Sequence, residues 1–91
     1  MSDFRLKVFL SVAKNLSFTK ASQELFVSQP AITKHIQELE TCYQVRLFDR
    51  QGNKISLTEA GKLLQEHSEK ILEDYKRLEY EMHLPVSYTH L

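Results

Sequence analysis

Gln29, Thr33, Lys34 and Gln37 recur at steps of four, one and three, so a helix carrying them presents two carboxamides, a hydroxyl and an ammonium on one side. Such groups read planar, hydrogen-bonding edges. Gln29 can bond adenine at N6 and N7, Lys34 can reach guanine O6 and N7, and Thr33 offers a hydroxyl together with a methyl for thymine. Pro30 adds a rigid apolar contact beside them. These four positions, Gln29, Pro30, Thr33 and Lys34, are the expected contacts to DNA bases.

Other chemistries find little to build on. Cys42 is the only cysteine, so no intrachain disulfide can form, and it is expected to be a small buried or half-buried apolar residue. His35, His67, His83 and His90 never fall at the short spacings that put two metal ligands on one helix face. No nucleophile stands beside a base, and no carboxylate pair sits where a pocket would form. Gly52 and Gly61 belong to a turn and a helix start rather than to a phosphate loop. Neither catalysis nor a cofactor nor a metal is expected.

The reading face needs a scaffold. Phe4, Val8, Phe9, Val12, Ala13 and Leu16 carry the helical period, predicting a first helix over 3–15 with these residues on its core side. Ser17 and Thr19 are good N-cap residues ahead of a short second helix in which Ala21 and Leu25 lie one turn apart. Ser28 then caps a third helix. Pro30 falls in its first turn, where no backbone N–H needs an intrahelical acceptor, so the proline starts the helix rather than breaking it. Ile32, Ile36, Leu39 and Tyr43 predict its buried side.

Beyond it, 45–50 and 54–57 flank Gln51-Gly52-Asn53 and predict a two-stranded hairpin, packed through Leu47, Phe48, Ile55 and Leu57. Thr58 caps a long helix over about 59–82, ended by Pro85. Leu64, Ile71 and Leu78 form a seam at steps of seven, filled out by Leu72, Tyr75 and Met82. Such a helix rises about 36 Å, more than a small domain can cover, so the seam predicts a dimer interface.

Ninety-one residues suit one small domain, and the net charge is zero. The charge is unevenly spread, however. Residues 1–57 hold eight Lys/Arg against five acids, a balance of +3, and residues 58–91 carry −3. The first part is thus suited to a polyanion. No apolar run approaches the ~20 residues of a membrane span, and the N-terminus lacks a signal-peptide pattern, so a cytoplasmic, nucleoid-associated protein is expected.

Helix, short helix, three-residue turn, helix, hairpin and long helix make a helix-turn-helix with a wing, mainly α, the third helix lying in the major groove. Ser17, Thr19, Ser28 and Gln37 are then expected at the phosphate backbone, and Arg50, Asn53 and Lys54 at the backbone or the neighbouring minor groove. The organisation reads as a winged helix-turn-helix over 1–58, a linker and dimerisation helix over 59–83, and a disordered tail over 84–91. Other readings are a different winged-helix repressor and a dimerisation module without specific DNA binding.

The sequence resembles the N-terminal DNA-binding domain of LysR-type transcriptional regulators. The likeness is carried by Phe9, Ser17-Phe18-Thr19-Lys20-Ala21 with Leu25, and Val27-Ser28-Gln29-Pro30-Ala31-Ile32-Thr33-Lys34 with Ile36, Leu39 and Glu40. It continues through Leu47-Phe48-Asp49-Arg50 and Leu57-Thr58-Glu59-Ala60-Gly61. The resemblance implies a bacterial regulator binding double-stranded DNA as a homodimer joined through the long helix. It also implies that a small effector is sensed only by a C-terminal domain of the full-length form, so the chain is expected to be a truncation or isolated domain. The family commonly has Ser and Arg where Thr33 and Lys34 stand, and often Arg near the wing tip where Asn53 stands.

Overall fold

The computed structural model describes residues 3–84; the tail expected over 84–91 lies outside them apart from Leu84. Four helices and one hairpin follow in order: α1 (Asp3–Asn15), α2 (Phe18–Leu25), α3 (Gln29–Tyr43), β1 (Phe48–Gln51), β2 (Lys54–Leu57) and α4 (Glu59–Met82).

α2, α3 and α4 each start where a side-chain oxygen satisfies an orphan N–H. Ser17 Oγ accepts from Lys20 N at 3.0 Å, Ser28 Oγ from Ala31 N at 3.3 Å and Thr58 Oγ1 from Gly61 N at 3.0 Å. Thr19 therefore lies inside α2 rather than capping it. The helix ends are less ordinary: Leu16, Phe26 and Gln44 all take positive φ, at 48°, 57° and 54°. Glycine usually supplies this conformation, but both glycines of the chain are placed elsewhere.

The core gathers Val8, Phe9, Val12 and Ala13 of α1, Phe18 and Ala21 of α2, Ile32, Ile36 and Leu39 of α3, and Leu47 and Phe48 before and within the wing. Phe9 and Phe18 both meet the Phe48 ring, with centroids 5.5 and 6.0 Å away, so one wing residue is clasped by two helices. Three expected core positions are not buried. Phe4 lies at the start of α1 and packs edge-on against His35 at 5.4 Å, Leu16 has left the helix, and Tyr43 is on the last turn of α3; all three are exposed. Leu6, absent from the expected stripe, is buried instead. Cys42 is exposed, contrary to expectation, because its turn of α3 runs past the core.

The wing is a two-stranded antiparallel hairpin in which Gln51 pairs with Lys54, leaving Gly52-Asn53 as a two-residue turn with Gly52 at φ +60°. Its first strand begins at Phe48, three residues later than expected. Glu40 explains the delay: its backbone carbonyl accepts from Val45 N at 3.1 Å and its carboxylate from Leu47 N at 2.9 Å, so those N–H groups serve α3 rather than a ladder. The far end of the wing closes onto α4 through Thr58 N donating to Leu47 O at 3.1 Å. Gly61 makes that junction possible, since a Cβ there would lie 2.3 Å from Leu47 O and 2.8 Å from Leu57 Cδ2.

Polar links tie α1 to its neighbours. Arg5 pairs with Glu38 of α3 at 3.3 Å. Glu24 of α2 accepts from Ser11 at 3.0 Å, Lys14 at 3.3 Å and Asn15 at 3.4 Å. The Ser11 hydrogen bond, then those from Asn15 and Lys14, hold the Glu24 carboxyl below the usual carboxylate range. α1 also packs across α4: Leu6 shares one groove with Leu64 and His67, and Leu10 shares another with Glu69 and Leu72. The crossing is centred on Ser68, which is fully buried with a hydroxyl that meets no hydrogen-bond partner among the described residues.

Candidate nucleic-acid interface

α3 is anchored on one side and open on the other. Ile32, Ile36 and Leu39 are 0%, 3% and 0% exposed, whereas Gln29, Pro30, Lys34 and Gln37 are exposed and Thr33 is half-buried. The capped start of the helix therefore projects the hydrogen-bonding side chains outward while a rigid apolar face fixes their direction. Among the described residues Lys34 makes no ion pair or hydrogen bond, whereas its neighbour His35 is engaged by Glu38 at 3.3 Å and by the Phe4 ring.

Gln29 is held by α2. Thr19 Oγ1 donates to Gln29 Oε1 at 3.2 Å, which leaves the Gln29 amide N–H groups pointing away from the pair. The Thr19 hydroxyl proton is thus engaged with Gln29 rather than free for a phosphate. Ser17 and Ser28, as caps, accept backbone N–H bonds and retain their own hydroxyl protons as donors.

On the wing, Arg50 follows Phe48 by two residues and so shares its face of the strand. Its guanidinium lies 4.9 Å over the Phe18 ring, a contact that orients an exposed cation. Asn53 and Lys54 are exposed at the hairpin tip. The third helix and the wing are thus brought together: Thr33, Gln37 and Arg50 line one groove. Sequence spacing showed neither this groove nor Arg46, which also lines it, because Arg46 was assigned to a strand that begins later.

The expected dimer residues divide. Leu64 is half-buried and packs on the core of its own protomer, and Leu72 is half-buried beside α1. Ile71, Tyr75, Leu78 and Met82 are exposed at 43%, 46%, 55% and 73%. Leu63, absent from the predicted seam, is 58% exposed. The outward apolar row thus runs Leu63, Ile71, Tyr75, Leu78 and Met82, and a strict seven-residue template picks Leu64 where the core has already claimed it.

Residues 4–62 match the family described as bacterial regulatory helix-turn-helix protein, lysR family. The chain belongs to this family. Among relatives of this lysR-family chain, a probable RuBisCO transcriptional regulator of Trieres chinensis is 46% identical over 68 residues, covering 75% of this chain and 22% of its own length. The HTH-type transcriptional regulator CitR of Bacillus subtilis is 38% identical over 82 residues, 89% of this chain and 28% of the relative. The chain thus spans about a quarter of the length of these curated relatives.

Solved structures agree with the fold. The CbnR DNA-binding domain in complex with DNA superposes with a TM-score of 0.85 at 36% identity, covering 90% of this chain and 94% of that one. The BenM DNA-binding domain on its catB site 1 DNA gives 0.86 at 27% identity, covering 90% and 92%. A LysR-family regulator from Eggerthella lenta gives 0.71 at 43% identity, covering 74% and 96%. The architecture is the winged helix-turn-helix of lysR-family DNA-binding domains. Among the described residues no helix is long and apolar enough to cross a membrane.

Proposed function

We propose that this chain is the DNA-binding domain of a LysR-type transcriptional regulator, binding specific double-stranded sequences as a homodimer from the cytoplasm. The observation that carries the reading is the two-sided α3. Its Ile32, Ile36 and Leu39 are locked in the core while Gln29, Pro30, Thr33 and Lys34 stand at the capped, outward end, the end that a helix-turn-helix inserts into the major groove. Neighbours solved on DNA share this frame. In this reading Gln29, Pro30, Thr33 and Lys34 meet base edges, whereas Ser17, Ser28, Gln37, Arg50, Asn53 and Lys54 position the duplex through its backbone. Thr19 acts by holding Gln29.

The 59–83 segment joins two protomers through the outward row of α4, placing two α3 helices in major grooves about one helical turn, or a multiple of it, apart. Effector sensing belongs to a further domain of a longer regulator. Binding alone accounts for the function, with no catalytic step and no cofactor.

The test begins by selecting bound duplexes from a random pool, which defines the preferred sequence. Lys34→Ala should then weaken binding to that sequence by about 1–3 kcal/mol and relax preference at one base pair, whereas Arg50→Ala should weaken selected and scrambled duplexes alike. Equal losses on both duplexes for Lys34→Ala would remove its base-reading role. Absence of any salt-dependent binding would leave a dimerisation module instead.

A further inference from the structure

The groove between α3 and the wing has a floor of buried Phe18, Ile36 and Phe48 and carries two cations, Arg46 and Arg50. Arg50 is steered by its contact with Phe18. Arg46 has no such contact, and its surroundings are arranged to keep it that way. An acid, Glu40, lines the same groove, yet its carboxylate accepts the Leu47 N–H at 2.9 Å and forms no ion pair with Arg46. The Arg46 backbone is also fixed, since its carbonyl accepts from Thr58 Oγ1 at 2.5 Å. The main chain at 46–47 is thus pinned from α3 on one side and from the start of α4 on the other, leaving an exposed guanidinium with no partner among the described residues.

A cation on a fixed backbone, beside a second cation and the Thr33–Gln37 wall of α3, fits a polyanionic strand running along that wall. We propose that Arg46 is a phosphate anchor for the backbone of double-stranded DNA, working with Arg50 to clamp one strand between α3 and the wing. The inference rests on the DNA-binding reading and adds to it a residue that none of the base or wing assignments includes. Its role is to hold register, so it favours no sequence. Glu40 keeps its negative charge in the groove but is held on the Leu47 N–H rather than paired with Arg46, and the two arginines outnumber it.

Each phosphate neutralised contributes about 0.9 to the slope of log affinity against log salt. The test is to measure that slope between about 0.05 and 0.2 M salt, on a selected and on a scrambled duplex, for the wild type, Arg46→Gln, Arg46→Lys and Lys76→Gln. Arg46→Gln should lower the slope by about 0.9 per bound protomer, equivalent to a Kd about fivefold weaker per protomer at ~0.15 M salt, equally on both duplexes. Arg46→Lys should restore the slope, because the slope counts charge. Lys76→Gln, on the distal part of α4, should leave it unchanged.

An Arg46→Gln slope equal to that of the wild type would overturn the proposal. So would a loss confined to the selected duplex, or a loss that lysine fails to restore. A wild type without salt-dependent binding would instead overturn the DNA-binding reading beneath it, a distinguishable result. Thermal melting of each variant separates lost binding from lost fold, which the exposed position of the Arg46 side chain is expected to spare.

Discussion

The part of the chain up to Ser68 and the part beyond it obey opposite rules of burial. Up to Ser68, α1, α2 and α3 send residues into a shared core, and α4 packs Ala60 and Leu64 against it. From 69 to 84 no residue is buried, although Ile71, Tyr75, Leu78 and Met82 lie there. The contrast stretches the molecule to 56 × 26 × 19 Å. It teaches that the two parts are held by different means. The first is stabilised from within, by apolar area removed from water. The second is a helical arm of about the length that is marginal on its own in water, and within the protomer its apolar row stays exposed.

Substitutions can break that contrast or sharpen it. Leu39→Ala, at a fully buried position, should cost about 2–5 kcal/mol, read from chemical denaturation. A loss below about 1 kcal/mol would mean that the α3 anchor is less close-packed than its burial indicates. Gly61→Ala comes next. The added methyl would drive into the Leu47 carbonyl and the Leu57 side chain, so a loss of about 1–3 kcal/mol is expected, with the wing separating from α4. Unchanged melting would show that the junction can relax. Smallest for the protomer itself is Leu78→Asp, which should alter its stability by no more than about 0.5 kcal/mol. The same variant should shift sedimentation from dimer to monomer. If the dimer persists, the outward row of α4 is not its seam.

Much of the scaffold was legible because its signals are local. Ser17, Ser28 and Thr58 announce helix starts through chemistry confined to one turn, and Pro30 is informative because it fits only at such a start. Gly52-Asn53 likewise specifies a tight hairpin. The errors arose where one group answers to a distant partner. The delayed start of β1 depends on Glu40 reaching seven residues ahead to Leu47, and no strand pattern contains that information. Phe4, Leu16 and Tyr43 share the helical period of true core residues, but the period cannot say where the neighbouring surface stops. Leu64 illustrates the same limit from the opposite side, since its heptad position suits a seam while it lies half-buried against the core, beside Leu6 and Leu47.

The outward face of α3 was legible in the sequence, and the groove beside it was not. Helical spacing alone puts Gln29 and Lys34 on that face. The Thr19–Gln29 hydrogen bond and the groove that Arg46 lines with Gln37 depend on how α2 and the wing settle against α3, and only the folded chain specifies that.

The crossing of α1 over α4 at Ser68 also makes α4 a lever with unequal arms. From Ser68 to Met82 the helix rises about 21 Å, and from Ser68 back to Gly61 about 10 Å. Tilting such a rod by a few degrees about the crossing moves its far tip roughly twice as far as its near end, and in the opposite direction. The near end is joined to the base of the wing through Thr58, Leu47 and Gly61. By this geometry a displacement at Met82 would reach the base of the hairpin at about half its size.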